Sequence, residues 1–234
     1  AMETIFEFLL KASAGMILFF LVYWFSLRKE TFYKANRYYL ILALLAAVFT
    51  AGFPVRYEVL IEAENQKQVF KSIADSFKNI PVGSEEQKLE NNFSWQQVVL
   101  IIYITGSAIF LVRLLFQTFV LVHLMIKYRI KSMEGMRIVE NEKFGLPFSF
   151  FNVIFINPKF HKQEDLPEIL AHEKVHIREN HWFDLLLIEL LTVIFWFNPF
   201  IWWFEHAIKQ NHEYLADKGV LAQGHHVGRY QALL

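Results

Sequence analysis

The chain contains no cysteine, which removes disulfides, thiolate nucleophiles and cysteine-held metals from consideration and leaves the redox compartment open. It has no excess of either charge: 23 Lys and Arg balance 23 Asp and Glu, so nothing in its charge balance argues for direct nucleic acid binding. Repeats and low-complexity tracts are missing as well. No basic segment precedes the first apolar run, and no small-residue pattern follows Trp24-Phe25-Ser26-Leu27, which argues against a cleaved leader. Apolar residues are abundant instead. They make up 55% of the 234 residues, with 25 phenylalanines, an unusual content for a soluble chain with this many charges. A lipid bilayer is therefore expected to solvate part of the molecule.

Three apolar runs read as membrane spans, at about 6–27, 38–55 and 98–122, the last running on to 126. Glu7 and Lys11 are four apart and expected to pair on the first helix. Arg113 interrupts the third run and reads as a charge snorkelling to the interface, or as an element of signal transmission. Lys and Arg mark cytoplasmic loops. Arg28, Lys29, Lys34 and Arg37 place the loop 28–37 inside, as do Lys127, Arg129, Lys131 and Arg137 after the third run. The mixed segment 56–97 and the N-terminus are then outside, with 57–94 a loop that senses a ligand or caps the helices.

The region 127–234 reads as a small α+β domain facing the cytoplasm. Short strands are expected over Met136–Glu140 and Phe150–Asn157, separated by Gly145-Leu146-Pro147. Glu164 and Asp165 then open a helix with Pro167 in its first turn. That helix carries His172-Glu173-Lys174-Val175-His176, the H-E-x-x-H pattern. Residues four apart share a helix face, so both imidazoles reach one Zn2+ ion while Glu173 stands beside it as general base. A chance occurrence on a solvated helix is the bland alternative.

The third ligand decides the class. His181 is five residues beyond His176, one short of the three-histidine spacing, and Glu179 stands where that arrangement has glycine. Glu213 is the better candidate, with Asp217 four residues on to accept a hydrogen bond from a ligand imidazole. His212 is the fallback ligand. Between the two helices runs Trp182 to Phe204, apolar apart from Asp184 and Glu189. A single crossing would strand Glu213 across the membrane, and the segment is too short for two crossings of ~20 residues. It is expected to turn back at Asn198-Pro199, as a re-entrant hairpin or as two interfacial helices.

His-Glu-Lys-Val-His-Ile-Arg from His172, Trp196-Phe197-Asn198-Pro199, Glu213-Tyr-Leu-Ala-Asp217 and Tyr230-Gln-Ala-Leu-Leu234 resemble the BlaR/MecR type of integral membrane zinc peptidases. The resemblance is specific from about Met136 onward. It implies three transmembrane helices leading into a gluzincin-like domain, in a bacterial inner membrane, with zinc at His172, His176 and Glu213, the base at Glu173 and a supporting Asp217. It further implies a fourth span after Leu234 and cleavage of a cytosolic transcriptional repressor; separately, the leading Ala1-Met2 reads as a cloning remnant. No penicillin-binding sensor sequence is present, so beta-lactam recognition is not expected.

The reading is thus a mainly α membrane protein that hydrolyses a peptide bond in a cytosolic protein. An extended substrate is expected to add to the edge of the strand Phe150–Ile156. His206, His225, His226, Arg229 and Tyr230 are all chemically able to stabilise an oxyanion, and the sequence does not choose among them. Rival readings are a membrane quality-control peptidase and a non-proteolytic scaffold with a structural zinc. A homodimer is left open.

Overall fold

The computed structural model describes residues 2–53, 95–133, 135–142, 144–159, 162, 164–224, 228 and 230. The expected outer loop 56–97 lies outside the described residues except for its last three, and His225, His226 and Arg229 lie outside them too. Residues 1–52 and 102–234 form one compact unit and residues 53–101 another. The expected metal ligands His172, His176 and Glu213 all belong to the first.

The N-terminal helix of that unit, α1, Met2–Val22, carries the Glu7–Lys11 pair at 2.5 Å and continues into a π-helical turn, Tyr23–Leu27. The second helix α2, Tyr33–Ala51, starts five residues before the apolar run and ends four before its expected end at Val55. The next described helix, α3, is Trp95–Lys127, of which residues 102–127 belong to this unit. Among the described residues two helical stretches are long and apolar enough to cross a membrane, Thr4–Leu27 and α3. The second expected span, in α2, falls short of that measure because Lys34, Asn36 and Arg37 occupy the first turn and a half of the helix. Only 6% of the most apolar stretch of α3 is buried by protein, as suits a helix whose solvent is lipid. Arg113 is not a lone snorkelling charge, since its guanidinium lies 3.7 Å from Glu189.

A four-stranded sheet comes next: β1 Lys131–Met133, β2 Met136–Glu140, β3 Phe148–Phe150 and β4 Val153–Ile156, in the order β1-β2-β4-β3. β2 and β4 are parallel and the other two pairings antiparallel. The strand expected over 150–157 is therefore β4 together with the end of β3, and β4 is interior: the sheet edges are β1 and β3. The turn between them holds Phe151 at a φ of 51°, a strained conformation for a bulky side chain. Alternation along β4 sends Ile154 and Ile156 to one face, with Ile138 and Leu170, and Val153 and Phe155 to the other, with Val139.

Three further helices follow among the described residues: α4 Leu166–Arg178, α5 His181–Phe195 and α6 Pro199–Leu221. The α5–α6 connection is the reversal expected at Asn198-Pro199. Proline suits the first helical position, and Asn198 caps α6 by accepting from the Phe200 N–H at 2.9 Å. At this reversal α3 touches the hairpin through Gly106, where a Cβ would come within 2.3 Å of the Trp196 ring. The main core draws on α1, α2, α5 and α6 together, around Met16, Leu40, Leu44, Phe195, Phe204 and Ile208. Packing is therefore continuous across the boundary that the sequence suggests at residue 126.

Candidate metal centre

The site forms where α4 and α6 cross. Their close approach depends on Gly219, because a Cβ there would lie 2.7 Å from Val175 Cγ2. Helical spacing on α4 brings His172 Nε2 and His176 Nε2 to 3.1 Å from each other. From α6, Glu213 Oε2 is 3.3 Å from His172 Nε2, and Glu213 Oε1 is 3.8 Å from His176 Nε2. Donors about 2.0–2.1 Å from a tetrahedral zinc stand about 3.3 Å apart, so the spacing fits that ion. Among the described residues these three are the one group of His, Asp or Glu side chains so arranged.

Glu173 is 8% exposed and accepts a hydrogen bond from Ser149 on β3. Burial pushes its carboxyl above the ordinary range, against the Ser149 bond and the His172 charge. For His172, burial favours the neutral ring, but the Glu213 hydrogen bond and the surrounding carboxylates prevail and raise it. Burial and the neighbouring His172 lower His176 to about 4. The His172 bond holds Glu213 below the usual carboxylate range.

Both imidazoles are held from behind. Tyr230 Oη lies 2.6 Å from His172 Nδ1 and donates to Asp217 Oδ1 at 2.7 Å. Asp217 itself is 3.4 Å from His172 Nδ1, so its hold on the imidazole runs through Tyr230. This arrangement puts the His172 proton on Nδ1 and leaves the Nε2 lone pair for metal. Tyr230, one of five oxyanion candidates, is thereby committed to orienting a ligand. His206, another, is exposed and lines a cavity of about 570 Å³ with Phe20, Arg28 and Trp203, apart from the metal group.

His181 and His212 are each 2% exposed and belong to the backing of the site. Asn180 adopts a left-handed conformation, φ 54°, between α4 and α5, a geometry that asparagine tolerates better than most residues. The resulting turn brings His181 Nδ1 to 2.8 Å from His176 Nδ1. His212, the fallback ligand, instead points Nε2 at Asp184 Oδ2, 2.8 Å away, and stacks on His181 at 3.9 Å. Sequence spacing argues against His181 as a third histidine ligand but carries no sign of this second role.

A cavity of about 240 Å³ opens beside His176, walled by Phe150, Phe151, Trp182, Leu186 and Leu121. Phe151 rests on Trp182 with ring centres 4.4 Å apart, so its strained turn supplies part of that wall. An apolar cavity of about 150 Å³ holds benzene, and this one has room for a larger apolar side chain.

Comparison with curated proteins returns no significant match. A family model described as BlaR1 peptidase M56 matches residues 4–232, a stretch that takes in α1, the sheet and both metal-site helices. On that match over nearly its whole length, the chain belongs to the BlaR1-type M56 family of peptidases.

Proposed function

We propose that the chain is a membrane-embedded zinc metalloendopeptidase that cuts a cytosolic protein, with a transcriptional repressor as the substrate class. The observation that carries this reading is the convergence of His172, His176 and Glu213 beside a buried Glu173. Two imidazoles and a carboxylate form a donor set typical of catalytic zinc, which leaves one position open. Zinc held there would polarise a scissile carbonyl and acidify a water. Glu173 would take the proton from that water and deliver it to the departing amine nitrogen. A base is superfluous at a purely structural site, which favours the enzyme over the scaffold.

The free edge of β3 supports a substrate path. Ser149 of β3 reaches Glu173, so an extended peptide pairing with Phe148–Phe150 would lie along the metal group. The cavity beside His176 would then take an apolar side chain. For topology we propose three spans, α1, α2 and α3, with the N-terminus outside and the metal centre on the cytoplasmic face. The clustered basic residues of 28–37 support this orientation. The α5–α6 hairpin returns toward its starting side and would sit as a re-entrant or interfacial element.

Replacing Glu173 with Ala tests the mechanism. Zinc content is expected to stay at the wild-type level while cleavage of the candidate repressor falls by about 10²–10⁴-fold. Undiminished cleavage would reject the assigned role.

A further inference from the structure

Behind the metal group lies a buried polar assembly that the proposed chemistry does not use. Its outermost member, Arg37, belongs to α2 and is only 8% exposed, although its sequence context reads as a loop charge. Its Nε donates to Asp184 Oδ2 at 2.6 Å, and its Nη2 donates to the Glu179 carbonyl at 2.8 Å. The same Asp184 oxygen accepts from His212 Nε2. His212 lies against His181 with the ring planes 6° apart, and His181 meets the ligand His176.

Two paths thus lead from Arg37 to the metal ligands. One runs through Asp184, His212 and His181 to His176. The other ends at His212, the residue next to Glu213 on α6. A second contact of Arg37, to the Glu179 carbonyl, grips the turn that ends the ligand-bearing α4. A buried guanidinium is costly unless its partners are fixed in place. Here they are fixed: Asp184 is bonded to His212, the neighbour of Glu213 in the chain, and the Glu179 carbonyl ends the helix that carries His172 and His176.

We propose that Arg37 is a positioning residue for the metal centre, so that a helix from the N-terminal membrane region completes the site. It acts by holding Asp184 and the α4–α5 turn, which hold His212 and His181, which in turn orient His176. The inference rests on the zinc reading above. It goes further by making metal affinity depend on how α2 seats against α6 and presents Arg37 to Asp184 of α5.

The test is zinc affinity, measured by chelator competition on the full chain in detergent, with thermal unfolding recorded on the same samples. Arg37→Lys keeps a charge but loses the forked grip, and Arg37→Gln leaves Asp184 unpaired. The double variant Arg37→Gln/Asp184→Asn removes both charges and so avoids a stranded buried carboxylate. Removing outer partners of metal ligands weakens binding by roughly 10–100-fold, and this loss is expected in all three variants, including the double variant if its melting temperature recovers. Cobalt-substituted samples should show altered visible absorption, a readout that a merely structural contact would not move. Affinity within twofold of wild type in the folded double variant would overturn the inference and leave the peptidase reading intact. Failure of the wild-type chain to bind zinc would overturn both.

Discussion

His172 and His176 sit four residues apart on one helix yet face different electrostatic surroundings, and this sets how acid should affect the site. The carboxylates of Glu213, Glu173 and Asp217 raise His172 above the ordinary imidazole value, whereas burial lowers His176 to about 4. A metal ligand must be unprotonated. As pH falls through the raised His172 value, one proton competes with each zinc, while His176 stays neutral until about pH 4. Zinc affinity should therefore drop about tenfold per pH unit. A chelator titration from pH 6.5 down to pH 5 measures the slope, and a two-proton slope would contradict the assignment. Tyr230 offers a second residue-scale test. Tyr230→Phe removes the hydroxyl between His172 and Asp217, and zinc affinity should fall about tenfold with the fold retained. Unchanged affinity would show that the hydroxyl does not orient His172.

At the scale of elements, the candidate ligands could be read from the sequence because helix periodicity puts i and i+4 on one face. The reversal at Asn198-Pro199 was legible for a related reason, since proline and a capping asparagine leave local signatures. The backing of the site was not. Arg37 meets Asp184 across 147 positions of sequence, and His181 comes alongside His176 only because Asn180 turns left-handed. No local pattern encodes either contact. The split of the expected strand into β3 and β4 was hidden for another reason, because the turn carries Phe151 where glycine or asparagine is usual. The α4–α6 crossing leads to its own prediction. Gly219→Ala would press a methyl into Val175, costing about 1–3 kcal/mol by overpacking and weakening zinc binding as the helices part. Adding Val175→Ala should restore part of both losses, as read by thermal unfolding and metal titration. No recovery would mean that the close approach is not what sets the crossing.

For the whole molecule, the metal group belongs to a unit whose core mixes α1 and α2 with α5 and α6. Helices near the two ends of the described chain therefore share one packed interior, and the region after residue 126 borrows much of its support from the N-terminal helices. The family match over residues 4–232 covers the same extent. On this view the metal holds together two helices brought face to face by a hairpin. Zinc X-ray absorption on the purified full chain tests that claim most directly. One zinc per chain with two imidazoles and oxygen donors at about 2.0–2.2 Å is the result expected for His172, His176 and Glu213, with one imidazole lost in His176→Ala. A third imidazole, which would mean that His181 or His212 displaces Glu213, or no bound zinc, would contradict it.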